Sequence, residues 1–229
     1  MAFGGFSQQT LEFLQDVELN NSKIWFAENR AVYDAQLVKP FRALVEDLTP
    51  TMLKIDSHFI TQPAIGKTIS RINRDIRYSH NKSIYRSHFW LTFKRRSEDW
   101  KEAPCYFFEI SPFWFRYGIG YYSAPKVTMD LFRSKILQDP QAFLSVVKCC
   151  KKPFEIVGDR YKRSLNKDLP EALAKWYNLK NFAVMTTNSQ TELLFADDLV
   201  KLIEKGFKQI APLYNYLMLI EMEKAIDRL

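Results

Sequence analysis

The sequence predicts an α+β fold with N-terminal helices, a central, largely antiparallel sheet, and C-terminal helices. Three observations predict it. Apolar residues recur at helical spacing near both ends of the chain. Between Ile65 and Tyr122 the pattern changes to strands, with period-two alternation over Phe89–Phe93 and Cys105–Ile110. The two kinds of segment fall in blocks, as they do when helices are grouped beside an antiparallel sheet. No linker, repeat or low-complexity stretch interrupts the 229 residues, so the chain reads as one domain, 1–229.

Ser7 is placed to cap a first helix running to about Glu18, and Asn21 or Ser22 a second from Lys23 to Val38. Pro40 opens a third, in which Phe41, Leu44, Val45 and Leu48 form one apolar stripe. A strand is expected over Lys67–Arg74 and another over Phe89–Phe93. Cys105–Ile110 is expected to pair, through the turn Ser111-Pro112-Phe113-Trp114, with a strand whose Phe113, Phe115, Tyr117, Ile119 and Tyr121 share a face. That hairpin sets Glu109 opposite Arg116, a favourable cross-strand charge pair. Helices follow from Lys126 to Cys150 with a break near Asp139-Pro140. A strand is expected over Phe154–Tyr161, a helix from Pro170 to Tyr177, a strand over Phe182–Thr186, and a helical C-terminus after Asp197.

Hydrophobic residues make up 47% of the chain, which places it among folded globular proteins and outside the range of disorder. The uncharged apolar runs are too short to span a bilayer, so no membrane partner is expected. The start, MAFGGFSQQT, has neither the basic nor the apolar region of a signal peptide, and three cysteines make no disulfide framework. A cytoplasmic location is the consistent expectation, with Cys149 and Cys150 as reduced thiols on a helix.

Charge is distributed unevenly. Residues 67–96 carry nine Lys or Arg against one acid, Asp75, a local net charge of +8 in a chain of +7. Concentrated charge of one sign attracts the other. Arginine offers a planar fork for phosphate or carboxylate, and lysine a point charge. The stretch Asp75–Ser87 reads as a polar loop that can converge donors on one ligand. The candidate ligand-binding residues are Arg71, Arg74, Asp75, Arg77, Tyr78, Ser79, Lys82, Tyr85, Arg86 and His88. The competing reading is a solvated sheet edge, whose charges guard against aggregation.

Within this segment, Ser70-Arg71-Ile72-Asn73-Arg74-Asp75-Ile76-Arg77-Tyr78-Ser79, followed by Lys82, Tyr85, Arg86, His88 and Phe89, resembles the central signature of the domain-of-unknown-function 2461 family. Asn20-Asn21, Trp25-Phe26, Asn29-Arg30 and Tyr33 resemble its N-terminal motif, and Gly118 through Tyr122 its glycine-aromatic strand. Leu179-Lys180-Asn181-Phe182, and Phe207 with Pro212-Leu213 and Leu217, are similar too. Two departures stand out: His80-Asn81-Lys82 in place of Lys-Asp-Lys, and Ile84 in place of a proline. The resemblance implies a recurring cytoplasmic domain of about this length. It implies no activity, cofactor or catalytic residue.

Other chemistry finds little support. Three histidines and no suitably spaced cysteine pair make a poor metal site, and no metal is expected; Asp75, His80 and His88 around the loop are the candidate set, and they serve equally as ordinary loop hydrogen bonders. Neither a glycine-rich phosphate loop nor a G-x-S-x-G elbow occurs. Cys105 sits in an apolar strand as a buried thiol. Trp25 with Asn29 and Arg30 reads as packing at a core margin. Tyr122 faces away from Tyr121 and is left as a base-stacking candidate. The expected partner is therefore an anionic small molecule of phosphate type, with an enzyme acting on it as an extension. Nucleic acid is the alternative partner, and a structural or protein-interaction role for the basic segment a further one. The sequence points to no particular cofactor and no oligomeric state.

Overall fold

The fold is taken from a computed structural model, which describes residues 2–77, 80–96 and 102–226. Five antiparallel strands form a sheet in the order β1-β2-β3-β5-β4, with helices grouped before and after, so the α+β expectation holds. The strands are β1 (Phe89–Phe93), β2 (Cys105–Ile110), β3 (Phe115–Gly120), β4 (Glu155–Val157) and β5 (Ala183–Asn188). The backbone divides into two compact units. One takes in residues up to Phe93, Phe107–Tyr117 and Thr187–Lys205, and the other Lys94–Tyr106, Gly118–Thr186 and Gly206 onward.

In the first unit, α1 (Gln8–Leu19) begins where the Ser7 N–H donates to Thr10 Oγ1 at 3.2 Å. The helix expected over Lys23–Val38 is instead three pieces. Ser22 caps α2 (Lys23–Glu28) by accepting the Trp25 N–H at 3.2 Å, and α3 (Arg30–Tyr33) restarts after Asn29. A π-helical turn, Asp34–Val38, then leads straight into α4 (Lys39–Ile55). Pro40 explains the turn. It has no N–H to offer the Gln36 carbonyl four residues earlier, and that carbonyl accepts the Thr10 hydroxyl at 2.9 Å instead. The expected stripe of α4 is fully buried at Phe41, Leu44, Val45 and Leu48. Phe41 meets Phe89 at 4.9 Å and Phe108 at 6.1 Å, and Phe6 stacks on Phe108 at 6.0 Å. Burying one such ring contributes about 1.5–3 kcal/mol, which fixes one face of β1 and β2 against these helices.

The strand expected over Lys67–Arg74 is absent as a continuous element. The segment instead touches its neighbours at single points. Ile69 bridges Leu91, Asn73 bridges Tyr85, and Ser70 N–H donates to Trp90 O at 2.9 Å. Gly66 turns the chain with φ +79, a conformation open to glycine, and the Thr68 hydroxyl donates to Gln62 O. Side chain-to-backbone bonds thus replace a ladder here.

In the second unit, α5 (Lys126–Gln138) and α6 (Pro140–Val147) meet at Asp139, which caps α6 through the Ala142 N–H at 2.9 Å. Phe132, Phe143, Phe182 and Trp176 of α7 (Glu171–Tyr177) form its aromatic core. Buried Arg133 donates to the carbonyls of Tyr177 and Leu179 at 3.0 and 2.7 Å. β4 is shorter than expected, and pairs with β5 through Glu155–Met185, Ile156–Val184 and Val157–Ala183. The final helix, α8 (Leu199–Ile226), runs through Pro212 without a break. Among the described residues no helix is long and apolar enough to cross a membrane.

Candidate functional site

Strand alternation decides what the sheet offers on its other face. Phe89, Leu91 and Phe93 are buried toward the helices, so His88 and Trp90 project oppositely. Phe108 and Ile110 of β2 set Glu109 on that same side, and Phe115 and Tyr117 of β3 set Arg116 there. The expected turn closes the hairpin. Ser111 N–H donates to Trp114 O at 2.8 Å, and Ser111 Oγ accepts the N–H groups of Phe113 and Trp114 at 3.2 Å each. Phe113 does not share the buried face with Phe115. It stands in the turn ahead of the strand and is 64% exposed.

The predicted Glu109–Arg116 pair forms, with Arg116 Nε donating to Glu109 Oε2 at 2.6 Å. Glu109 is 8% exposed, so its carboxylate depends on that partner. The Arg116 guanidinium also lies over the Trp114 ring at 4.7 Å. His88 stacks on Trp90 at 5.6 Å, with Nε2 3.8 Å from Glu109 Oε1. Burial holds the His88 pKa below its usual value. Glu109 opposes that shift, while the positive charges of Arg86, Arg74 and Arg116 add to it. The charges of three guanidinium groups therefore act on one imidazole. One of them is incomplete: Arg74 Nε is buried and has no hydrogen-bond partner among the described residues.

The ten residues singled out from sequence meet different fates. Arg74, Arg86 and His88 come together, joined by Arg116, which lies outside the basic segment. Arg86 is partly structural. Its Nη1 donates to the carbonyls of Arg71 and Asn73 at 2.8 and 2.5 Å, and its guanidinium covers Trp90 at 5.0 Å. Tyr85 is a packing residue, 7% exposed and stacked on Phe26 at 4.3 Å. The Asn21 amide grips it from the N-terminal motif, accepting Tyr85 N–H at 3.0 Å and donating to Tyr85 O at 2.9 Å. Asp75 and Arg77 form an exposed two-pronged ion pair, at 2.9 and 2.7 Å. Lys82 donates to Ile76 O at 3.1 Å. Arg71 is exposed beside Gly66. Tyr78 and Ser79 lie outside the described residues, as does Ser97-Glu98-Asp99.

Sequence reasoning missed Arg116, Trp90 and Trp114 as parts of one cluster. The signal was present: β1, β2 and β3 are adjacent in the sheet, and His88, Trp90, Glu109 and Arg116 share one parity. Cys105 is buried and its thiol is pushed up to about 11 by that burial, which fits an inert core residue. Trp25 packs on Phe13 at 5.7 Å, and Tyr122 is 70% exposed. Among the described residues no group of three or more His, Cys, Asp or Glu is arranged to hold a metal.

Fold and site together define a class: an α+β protein with a cluster of arginines on one sheet face. The chain belongs to the family described as Conserved hypothetical protein (DUF2461), which matches residues 9–216. No curated protein matches it. The family motifs named above fall largely on residues that hold the fold, such as Asn21 on Tyr85 and Leu179 on Arg133.

Proposed function

We propose that the protein binds a small phosphate-type anion at Arg74, Arg86, His88 and Arg116. The observation that carries this reading is the buried Nε of Arg74, which has no partner among the described residues, together with two other guanidinium groups whose charges act on the same imidazole. A buried donor without an acceptor is costly, and positive charges gathered on one imidazole repel one another. An anion relieves both at once. Glu109 turns Arg116 by holding its Nε, which leaves the Nη edge of the fork to a ligand. Trp90 and Trp114 form the apolar flanks. Arg71 and Lys82, exposed nearby, supply attraction at longer range.

The test is a thermal-shift series with sulfate, phosphate, nucleotides, sugar phosphates and short oligonucleotides. A ligand specific for the folded state raises stability by about 2.7 kcal/mol at a hundredfold excess over its Kd. The expected result is a shift with a small anion that Arg74→Ala abolishes, while the Tm of the free protein stays level or rises. A shift that survives Arg74→Ala would place the ligand elsewhere. A fall in the free Tm with no loss of ligand response would make Arg74 a structural residue.

A further inference from the structure

Helix α6 ends at Val147, and Cys149 and Cys150 lie in the turn beyond it, not on the helix. Their N–H groups donate to Val146 O and Val147 O at 3.3 and 3.0 Å. The two Sγ atoms are 3.6 Å apart. Gln209 pins the turn by donating from Nε2 to the carbonyls of Cys149 and Lys151, at 3.0 Å each. Both cysteines are half-buried, within reach of a small reagent. Their surroundings are basic: the local sequence is Lys148-Cys149-Cys150-Lys151-Lys152, and the Lys175 charge also acts on Cys150. A partly exposed thiol among positive charges is favoured as thiolate, the reactive form.

The two thiols are unequal. Hydrogen bonding from Cys150, helped by the Leu213 backbone N–H, brings Cys149 down to about 7 against the effect of burial. The same contact raises Cys150, which keeps its proton. A nucleophile with a pKa near ambient pH attacks fastest, and a protonated neighbour stands ready to resolve the product.

We propose that Cys149 and Cys150 are a peroxide-responsive dithiol that closes reversibly to a disulfide between adjacent residues. The Cys149 thiolate attacks one oxygen of a hydroperoxide. The O–O bond breaks, an S–O bond forms, and the departing hydroxide or alkoxide takes up a proton. Cys150 then loses its proton and attacks the Cys149 sulfenic sulfur, forming S–S as the S–O bond breaks and water leaves. With hydrogen peroxide, two thiols and one peroxide become one disulfide and two waters. Adjacent Cα atoms sit about 3.8 Å apart across a trans peptide, closer than the ~4.4–6.8 Å of ordinary disulfides. The bond is therefore strained and readily reduced, which suits a switch more than a staple.

The experiment is intact-mass analysis and free-thiol titration of the full chain before and after hydrogen peroxide, then after a thiol reductant. The expected result is loss of two hydrogens on a single chain, with titratable thiols falling from three to one. Reduction restores all three, and buried Cys105 serves as the internal control. Cys150→Ser should halt at a sulfenic acid that a dimedone probe traps. Persistence of both thiols, cross-linking between chains, or direct passage of Cys149 to a sulfinic acid would each overturn the proposal. The native chain alone decides the matter, so nothing depends on the variant folding.

Discussion

His88 is pulled in two directions, and burial prevails: its pKa lies below the usual 6.5. In the folded protein it is neutral near pH 7, whereas in the unfolded chain it takes a proton from about pH 6.5 downward. Its contribution to stability is therefore complete above pH 6.5 and is lost as pH falls through the folded value. Thermal melts across that window should show a decline that His88→Asn flattens. Sulfate, which does not titrate there, should bind more tightly as His88 becomes charged, and the same substitution should remove that gain. Arg86 shows how far a single residue is legible. Its charge and its place in a basic segment were plain in the sequence. Its engagement with the Arg71 and Asn73 carbonyls was not, because that depends on an irregular backbone. The packing of Tyr85 was hidden for a similar reason. Its burial on Phe26 requires α2 to be in place.

At the scale of elements, the hairpin β2–β3 was the most readable part of the chain. Period-two alternation, a Ser-Pro turn and an opposed acid and base all agreed, and the structure bears out the Glu109–Arg116 pair. The Lys67–Arg74 segment was the least readable, because its only apolar residues, Ile69 and Ile72, are three apart and its hydrogen bonds go to scattered partners. The glycines of β3 record a different demand. A Cβ on Gly120 would lie 2.6 Å from the Ala183 Cα, and one on Gly118 2.6 Å from the Met185 Cα with the Val184 carbonyl closer still. These neighbours are backbone atoms of β5 and have nowhere to go. Gly118→Ala should therefore lower stability by about 1–3 kcal/mol or more, read as a lower denaturation midpoint. An unchanged midpoint would show that β5 stands off from β3.

For the molecule as a whole, the net charge of +7 hides a nearly neutral remainder, since one segment carries +8. Three arginines in one cluster neutralise few phosphates. Any oligonucleotide affinity should thus fall with log salt at a slope no steeper than about −3, at roughly −0.7 to −0.9 per phosphate. A slope near −6 would reveal a longer track and favour a nucleic-acid partner. The fold class was readable because block patterning survives local error. The cluster was readable only in half, because strand order brings Arg116 to His88 and no spacing along the chain encodes that meeting. The π-helical turn at Asp34–Val38 has a consequence of phase. Each residue of a helix advances it by about 100°. Shortening that turn by one residue would rotate everything before it by more than a quarter revolution relative to α4. Phe26 and Tyr33 would swing off Tyr85 and Phe89, the contacts through which the N-terminal motif supports the return strand of the basic loop. The π-helical turn ahead of Pro40 thus acts as a timing mark, setting the angle at which the N-terminal motif meets Tyr85 and Phe89.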